Sequence, residues 1–224
     1  MENKEEKQIG DGRRGRLRVF FGFAAGVGKT YGMLAEAHEL QLMGKNVVIG
    51  YIEPHDRPDT NRLLEGLPQI PPKKIAYKQM ILTEPDIDQI IKQRPEIVLI
   101  DELAHTNAEG SRNRKRYQDV DELLKAGINV FTTVNVQHLE SLNDIVEEVT
   151  GIEVKETVPD TFLQQATIKV IDVEPDELIE RLEQGKIYAN ENARRALQNF
   201  FIPQKLDQLR GLAIQRASDH INRI

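Results

Sequence analysis

Short apolar runs alternate along this chain with longer stretches whose apolar residues recur at helical spacing. The first run, Leu17–Phe21, enters a glycine-rich turn, and Lys29–Met43 leaves it with Tyr31, Leu34, Ala35, His38 and Leu42 on one helical side. On that face His38 reads as a packed helix residue, and Gly44 as the helix stop. Val47–Ile52 is apolar at consecutive positions, the pattern of a strand covered on both faces in a parallel sheet. A short helix near Thr60–Glu65, a proline-rich turn and a strand at Lys74–Tyr77 are expected next. Thr83-Glu84-Pro85-Asp86 then reads as a capped helix start, the helix running to about Gln93.

Ile97–Ile100 and Ile128–Val134 read as two more buried strands, separated by a helix expected from Arg112 to Ala126. Residues 138–150 read as a helix stopped by Gly151. Further on, Val154–Val158 and Ile168–Val173 are expected strands, and Glu174 to Gly185, Asn190–Phe201 and Lys205–Asn222 expected helices. In the last of these Leu206, Leu209, Ala213 and Ala217 form an apolar stripe that covers a sheet edge or docks a following domain. Strands alternating with helices in this way predict an α/β fold, with a mainly parallel sheet flanked by helices on both faces and a small C-terminal helical extension.

Two breaks between elements carry chemistry. The first is Gly22-Phe23-Ala24-Ala25-Gly26-Val27-Gly28-Lys29-Thr30, standing between a strand and a helix. That order is the context of a phosphate-binding P-loop, whose backbone N–H groups converge on anionic oxygens at a helix N-terminus. Lys29 is the expected phosphate cation and Thr30 the expected Mg²⁺ ligand. Ala25, Gly26, Val27, Gly28 and the adjoining Tyr31 are the expected nucleotide contacts. The common spacing puts its first glycine at 23, where Phe23 stands, so the opening turn is expected to differ in shape. The alternative is a glycine-rich turn that binds nothing.

The second break is Asp101-Glu102 after Ile97–Ile100, the pattern of a Walker B strand. Asp101 is the expected second Mg²⁺ partner and Glu102 a candidate base or sensor for a water. Asn135, at the tip of the next strand, is the expected γ-phosphate sensor. The Asp-Glu pair and that strand tip favour the P-loop branch with a strand inserted between the loop strand and the Walker B strand. Glu53, His55 and Asp56 share one loop and could be taken for a metal cluster, although their spacing fits loop chemistry better. The cations Arg112, Arg114, Lys115 and Arg116 at an expected helix start oppose its dipole. They hint at an anionic partner or make a solvated basic turn.

Composition narrows the class. The 224 residues carry a formal charge of −6, which argues against a general nucleic-acid binder. There is no cysteine, so disulfides and thiolate metal sites are excluded. No apolar run reaches the roughly 18 residues of a membrane span, and the polar N-terminus has no signal-peptide core. The expectation is a cytoplasmic chain, with residues 1–16 a mobile leader and 17–224 the P-loop domain.

Three strings are more specific than a generic P-loop: Phe23 to Tyr31, Asp101-Glu102-Leu103-Ala104-His105-Thr106-Asn107, and Thr133-Val134-Asn135-Val136-Gln137-His138-Leu139-Glu140. With Gly110-Ser111-Arg112-Asn113 and Lys115-Arg116-Tyr117-Gln118-Asp119-Val120, they resemble the N-terminal domain of the KdpD family of potassium- and turgor-responsive sensor histidine kinases. In that family the loop reads with the early glycine. The resemblance implies a cytoplasmic regulatory domain binding ATP and Mg²⁺. It also implies that universal-stress-like, membrane and kinase regions are its partners and, through them, the response regulator KdpE. Two other readings stay open, a stand-alone ATPase or small-molecule kinase and an interaction scaffold without nucleotide. No N-K-x-D motif supports a GTPase.

Overall fold

The computed structural model describes residues 13–53, 58–187 and 200–221. Its main sheet has five strands in the order β2-β5-β6-β1-β7, every neighbouring pair parallel. The strands are β1 (Leu17–Gly22), β2 (Val47–Tyr51), β5 (Ile97–Ile100), β6 (Asn129–Asn135) and β7 (Thr167–Val170). β6 lies between the loop strand β1 and the acidic strand β5, so the inserted-strand order is the one observed.

Alternation along the strands supplies two cores. Leu17, Val19 and Phe21 of β1 join one buried cluster with Val98 and Ile100 of β5, while Phe20 joins another with Leu99 and Phe131. Helix α1 (Lys29–Leu42) covers the second cluster through Met33, Leu34 and Ala37. Across the sheet, α4 (Arg116–Lys125), α5 (Asn143–Thr150) and α7 (Pro203–Ile221) pack on the first, with Val120, Leu123, Val146 and Leu206 buried. The apolar stripe of α7 is therefore spent on its own domain. Among the described residues no helix is long and apolar enough to cross a membrane.

Several expected elements differ in detail. Thr83 and Glu84 belong to β4 (Met80–Glu84), which pairs antiparallel with β3 (Lys73–Tyr77) as a hairpin outside the main sheet. The cap of α3 (Ile87–Gln93) is Asp86, whose carboxylate accepts from the Gln89 N–H at 3.1 Å. The strand expected at Val154–Val158 reduces to a single bridge between Leu139 and Val158. Residues 136–142 form two 3₁₀ turns, so the helix expected from 138 begins at Asn143 as α5. The short helix α2 spans Pro58–Arg62, and α6 spans Pro175–Glu183. The helix expected at 190–201 falls largely outside the described residues, as do His55 and Asp56. Of the leader, Gly15 is described and donates its N–H to the Leu124 carbonyl at 2.7 Å.

Candidate functional site

Two side chains of the glycine-rich loop fold back on its entrance. A Cβ on Gly22 would stand 2.6 Å from the Val27 Cγ2 and 3.2 Å from the Lys29 Cδ, so the chain has to be glycine at 22. Position 23 carries no such restriction, because the Phe23 ring turns into the core and is 1% exposed. Gly28 takes φ 104° immediately before Lys29 opens α1, a conformation that side chains resist. The helix N-terminus therefore opens onto the hollow of the loop. Lys29 Nζ donates to the Ala24 carbonyl at 3.0 Å, folded along the loop it would serve.

β5 delivers Asp101 to the same place. Its carboxylate is 1% exposed and accepts from the Thr30 hydroxyl at 3.2 Å, from the Glu102 N–H at 3.1 Å and from the Thr133 hydroxyl. Three donors around a buried carboxylate offset much of its desolvation cost. The strand ends at Ile100, and Glu102 takes a left-handed φ of 56°. Out of the pleat, Glu102 lines the same cavity as Asp101 instead of facing the opposite side. Leu103 N–H then bonds the Thr133 carbonyl at 3.0 Å, stitching the turn to β6.

At the tip of β6, the buried Asn135 Oδ1 has no hydrogen-bond partner among the described residues. A buried acceptor left over beside a cavity is a group awaiting a ligand or water. The cavity, ≈180 Å³, is lined by the loop from Ala25 to Thr30 apart from Val27, and by Asp101, Glu102 and Asn135. Val27 is buried, and Tyr31, 48% exposed, lies on another side of the loop. Three polar residues that the sequence motifs do not single out as site members, Thr133, His138 and Glu156, also line it, together with His105. Thr133 has a polar neighbour, Thr132, in the same strand, so polarity alone does not single out which of the two lines the cavity.

A buried ionic cluster braces this wall. Arg116, fully buried, donates to the Glu84 carboxylate at 2.7 Å and to the Asp101 carbonyl at 3.2 Å, and its guanidinium lies 4.4 Å from the Tyr51 ring centroid. His105 Nε2 donates to the other Glu84 oxygen at 3.3 Å, and the Ala108 N–H to the same oxygen at 2.7 Å. Burial pushes the Glu84 carboxyl up, but His105, Arg116 and Ala108 outweigh it and hold it below the ordinary range. Of the basic run only Arg116, the first residue of α4, is internal bracing; Arg112 and Arg114 are exposed, Arg112 pairing at the surface with Asp88 and Glu122, and Lys115 donates to the Thr106 hydroxyl. Asp119, within α4, is pushed up by burial despite hydrogen bonds from Asn113 and Asn107.

His138 Nδ1–H donates to the Glu156 carbonyl at 2.8 Å, which leaves Nε2 as the acceptor of the neutral ring. Burial holds its pKa below the ordinary imidazole value. Glu53 accepts from the Tyr51 hydroxyl at 3.0 Å at the far end of the sheet edge. Among the described residues no group of three or more metal-ligating side chains assembles.

A family model described as "KdpD: Osmosensitive K+ channel His kinase sensor domain" matches residues 13–221. The chain belongs to the KdpD family. It is 54% identical over 221 residues to a sensor protein KdpD of Clostridium acetobutylicum, covering 98% of this chain and 25% of that protein. A sensor protein KdpD of Escherichia coli is 52% identical over 210 residues, 93% of this chain and 24% of that protein. One from Mycobacterium tuberculosis is 47% identical over 208 residues, 92% and 24% respectively. The chain thus spans about a quarter of the length of these KdpD relatives.

Proposed function

We propose that this chain binds Mg-ATP and acts as the cytoplasmic regulatory domain of a KdpD-type sensor histidine kinase. One observation carries the reading. Lys29, Thr30, Asp101, Glu102 and Asn135, spread over more than a hundred positions, line one cavity at the carboxyl edge of a parallel sheet. That edge is where open α/β sheets hold their ligands.

The residues suit the ligand they would hold. The loop N–H groups, the α1 N-terminus and Lys29 supply positive potential for phosphates. Thr30 and Asp101, 3.2 Å apart, are a hydroxyl and a carboxylate, hard oxygen donors of the kind Mg²⁺ takes directly or through water. The Asn135 oxygen, without a hydrogen-bond partner among the described residues, would accept from a water beside the terminal phosphate. When bound, the ion would neutralise phosphate charge. The chain's own part is to orient the phosphates and, through Glu102, to hold or deprotonate a water.

In the wider protein this domain would report nucleotide occupancy to the kinase regions and through them to the response regulator KdpE, under potassium limitation or osmotic stress. Titration calorimetry with ATP, ADP and GTP, with and without Mg²⁺, tests the reading. Saturable Mg-ATP binding that Lys29→Ala weakens supports it. Absence of binding by any nucleotide would leave an interaction scaffold.

A further inference from the structure

The phosphate loop has a second open side. Gly26, Gly28 and Thr30, which line the cavity beside Asp101, also line a cleft of ≈740 Å³. That cleft is bounded by the start of α1, by α2, by Ile171 just after β7, and by α6 with the segment that follows it. Its volume falls in the range of small-molecule sites, roughly 300–1,000 Å³.

Its floor is apolar and pressed against the loop. A Cβ on Gly26 would run into the Ile187 side chain, and one on Gly32 would stand 3.1 Å from the Ile171 Cδ1. Gly32 lies in the first turn of α1, where alanine would favour the helix, so glycine there leaves space instead of adding propensity. One wall is Tyr31, whose side chain is half exposed at the cleft. The rim is polar, with Asp59, Glu177, Arg181 and Lys186. Arg181 Nη1 donates to the Gly26 carbonyl at 3.0 Å and pairs through Nη2 with Glu177, tying α6 to the phosphate loop.

We infer that this cleft receives the nucleoside end of a nucleotide whose phosphates occupy the loop. The inference rests on the phosphate-loop reading and extends it to the other half of the ligand. Tyr31, Ile171 and Ile187 line the same cleft, so a flat base there would meet a ring to stack on and apolar surface to cover, without base-specific contacts. The Asp59 and Glu177 carboxylates at the rim are acceptors for ribose hydroxyls. The segment from β7 to Ile187 is then part of the nucleotide site.

The test compares Mg-ATP with Mg-tripolyphosphate, which has the phosphates and no nucleoside, by calorimetry on wild type, Lys29→Ala, Tyr31→Ala and Thr60→Trp. Thr60 lies on the α2 wall away from the loop, and a tryptophan there fills the cleft. Wild type is expected to bind ATP about tenfold tighter than tripolyphosphate or better. Tyr31→Ala and Thr60→Trp should weaken ATP by about tenfold and leave tripolyphosphate unchanged, whereas Lys29→Ala weakens both. Equal wild-type affinity for the two ligands would overturn the cleft assignment while leaving the phosphate loop standing. So would full ATP affinity in both cleft variants. Binding of neither ligand to wild type would overturn the phosphate-loop reading, and this inference with it.

Discussion

Arg116 and Glu84 meet at 2.7 Å with the arginine wholly buried and the glutamate nearly so, and the same guanidinium holds the carbonyl of Asp101. The pair joins the base of the β3–β4 hairpin to the start of α4 and to the end of β5. Removing the arginine leaves the buried Glu84 carboxylate with only His105 and the Ala108 N–H as partners, a loss of up to about 3–5 kcal/mol. Arg116→Met is therefore expected to lower the urea-unfolding free energy by that order. Glu84→Leu combined with Arg116→Met should recover part of it, since an apolar pair replaces the ion pair although the Ala108 N–H, His105 and the Asp101 carbonyl each lose a partner. Equal losses in the single and double variants would remove the pair as a structural brace.

Lys29→Ala leaves the core untouched, because its ammonium lies along the loop surface against the Ala24 carbonyl. Melting should match wild type. Mg-ATP affinity should fall by about 2 kcal/mol, on the order of 30-fold, the scale of a hydrogen bond to a charged group. Unchanged affinity in a normally folded variant would show that the loop does not hold phosphate.

Asp101→Asn carries two expected costs. The carboxylate accepts from three donors, and the Glu102 N–H among them cannot reverse its role to suit an amide NH₂. Stability should drop by about 1–3 kcal/mol for the mismatched buried group. Separately, the gain in ATP affinity that Mg²⁺ provides should shrink, while metal-free binding is spared because a negative charge has been removed. Calorimetry with and without Mg²⁺ reads the second effect, and equal Mg²⁺ dependence in both proteins would contradict the metal role.

Glu102 separates a regulator from an engine. A general base at this place contributes about 10²–10⁴-fold. Glu102→Gln should bind Mg-ATP as wild type does and lower single-turnover hydrolysis by that order. Identical negligible rates would make Glu102 a sensing residue, and undiminished hydrolysis would eliminate it as the base. Its left-handed backbone adds a control. Glu102→Gly relieves a strained φ and should not destabilise the fold, whatever it does to turnover.

His138 predicts a pH dependence. Burial lowers its pKa in the fold, so near the ordinary value of 6.5 the unfolded chain takes up a proton that the native ring refuses. Stability is thus fully present above about pH 6.5 and declines as the pH falls from there toward the depressed native value. His138→Asn retains an N–H for the Glu156 carbonyl and removes the titration. Denaturant midpoints at pH 7.5 and about pH 5.5 should converge in the variant relative to wild type; an unchanged gap would assign the dependence elsewhere.

Local pattern reached far into this protein. Consecutive apolar positions in Val47–Ile52 and Ile97–Ile100 specify two-sided burial, which a parallel sheet with helices on both faces satisfies. Glycine-rich turn, Lys-Thr and Asp-Glu are readable because their chemistry is written in adjacent residues at strand ends. The helix stops at Gly44 and Gly151 follow from the same kind of local geometry. Phe23 shows the limit. Its departure from the common loop spacing has meaning only once the ring is seen in the core and Gly22 under Val27 and Lys29.

What tertiary structure alone decided is which distant polar groups share the interior. Thr83-Glu84-Pro85-Asp86 carries a helix-cap pattern. Yet Glu84 is drawn into β4 because Arg116, His105 and the Ala108 N–H, all more than twenty positions away, satisfy its buried carboxylate. Arg116 likewise reads as one more surface cation of a basic run until Glu84 appears beside it, while Arg112 and Arg114 do stay exposed. His138 and Thr133 enter the cavity through the turn after β6 and the register of β6 against β5. Periodicity and short motifs report a residue's own neighbours along the chain. Partners separated by 32 positions, as Arg116 and Glu84 are, become neighbours only when the sheet order and the helix packing place them together.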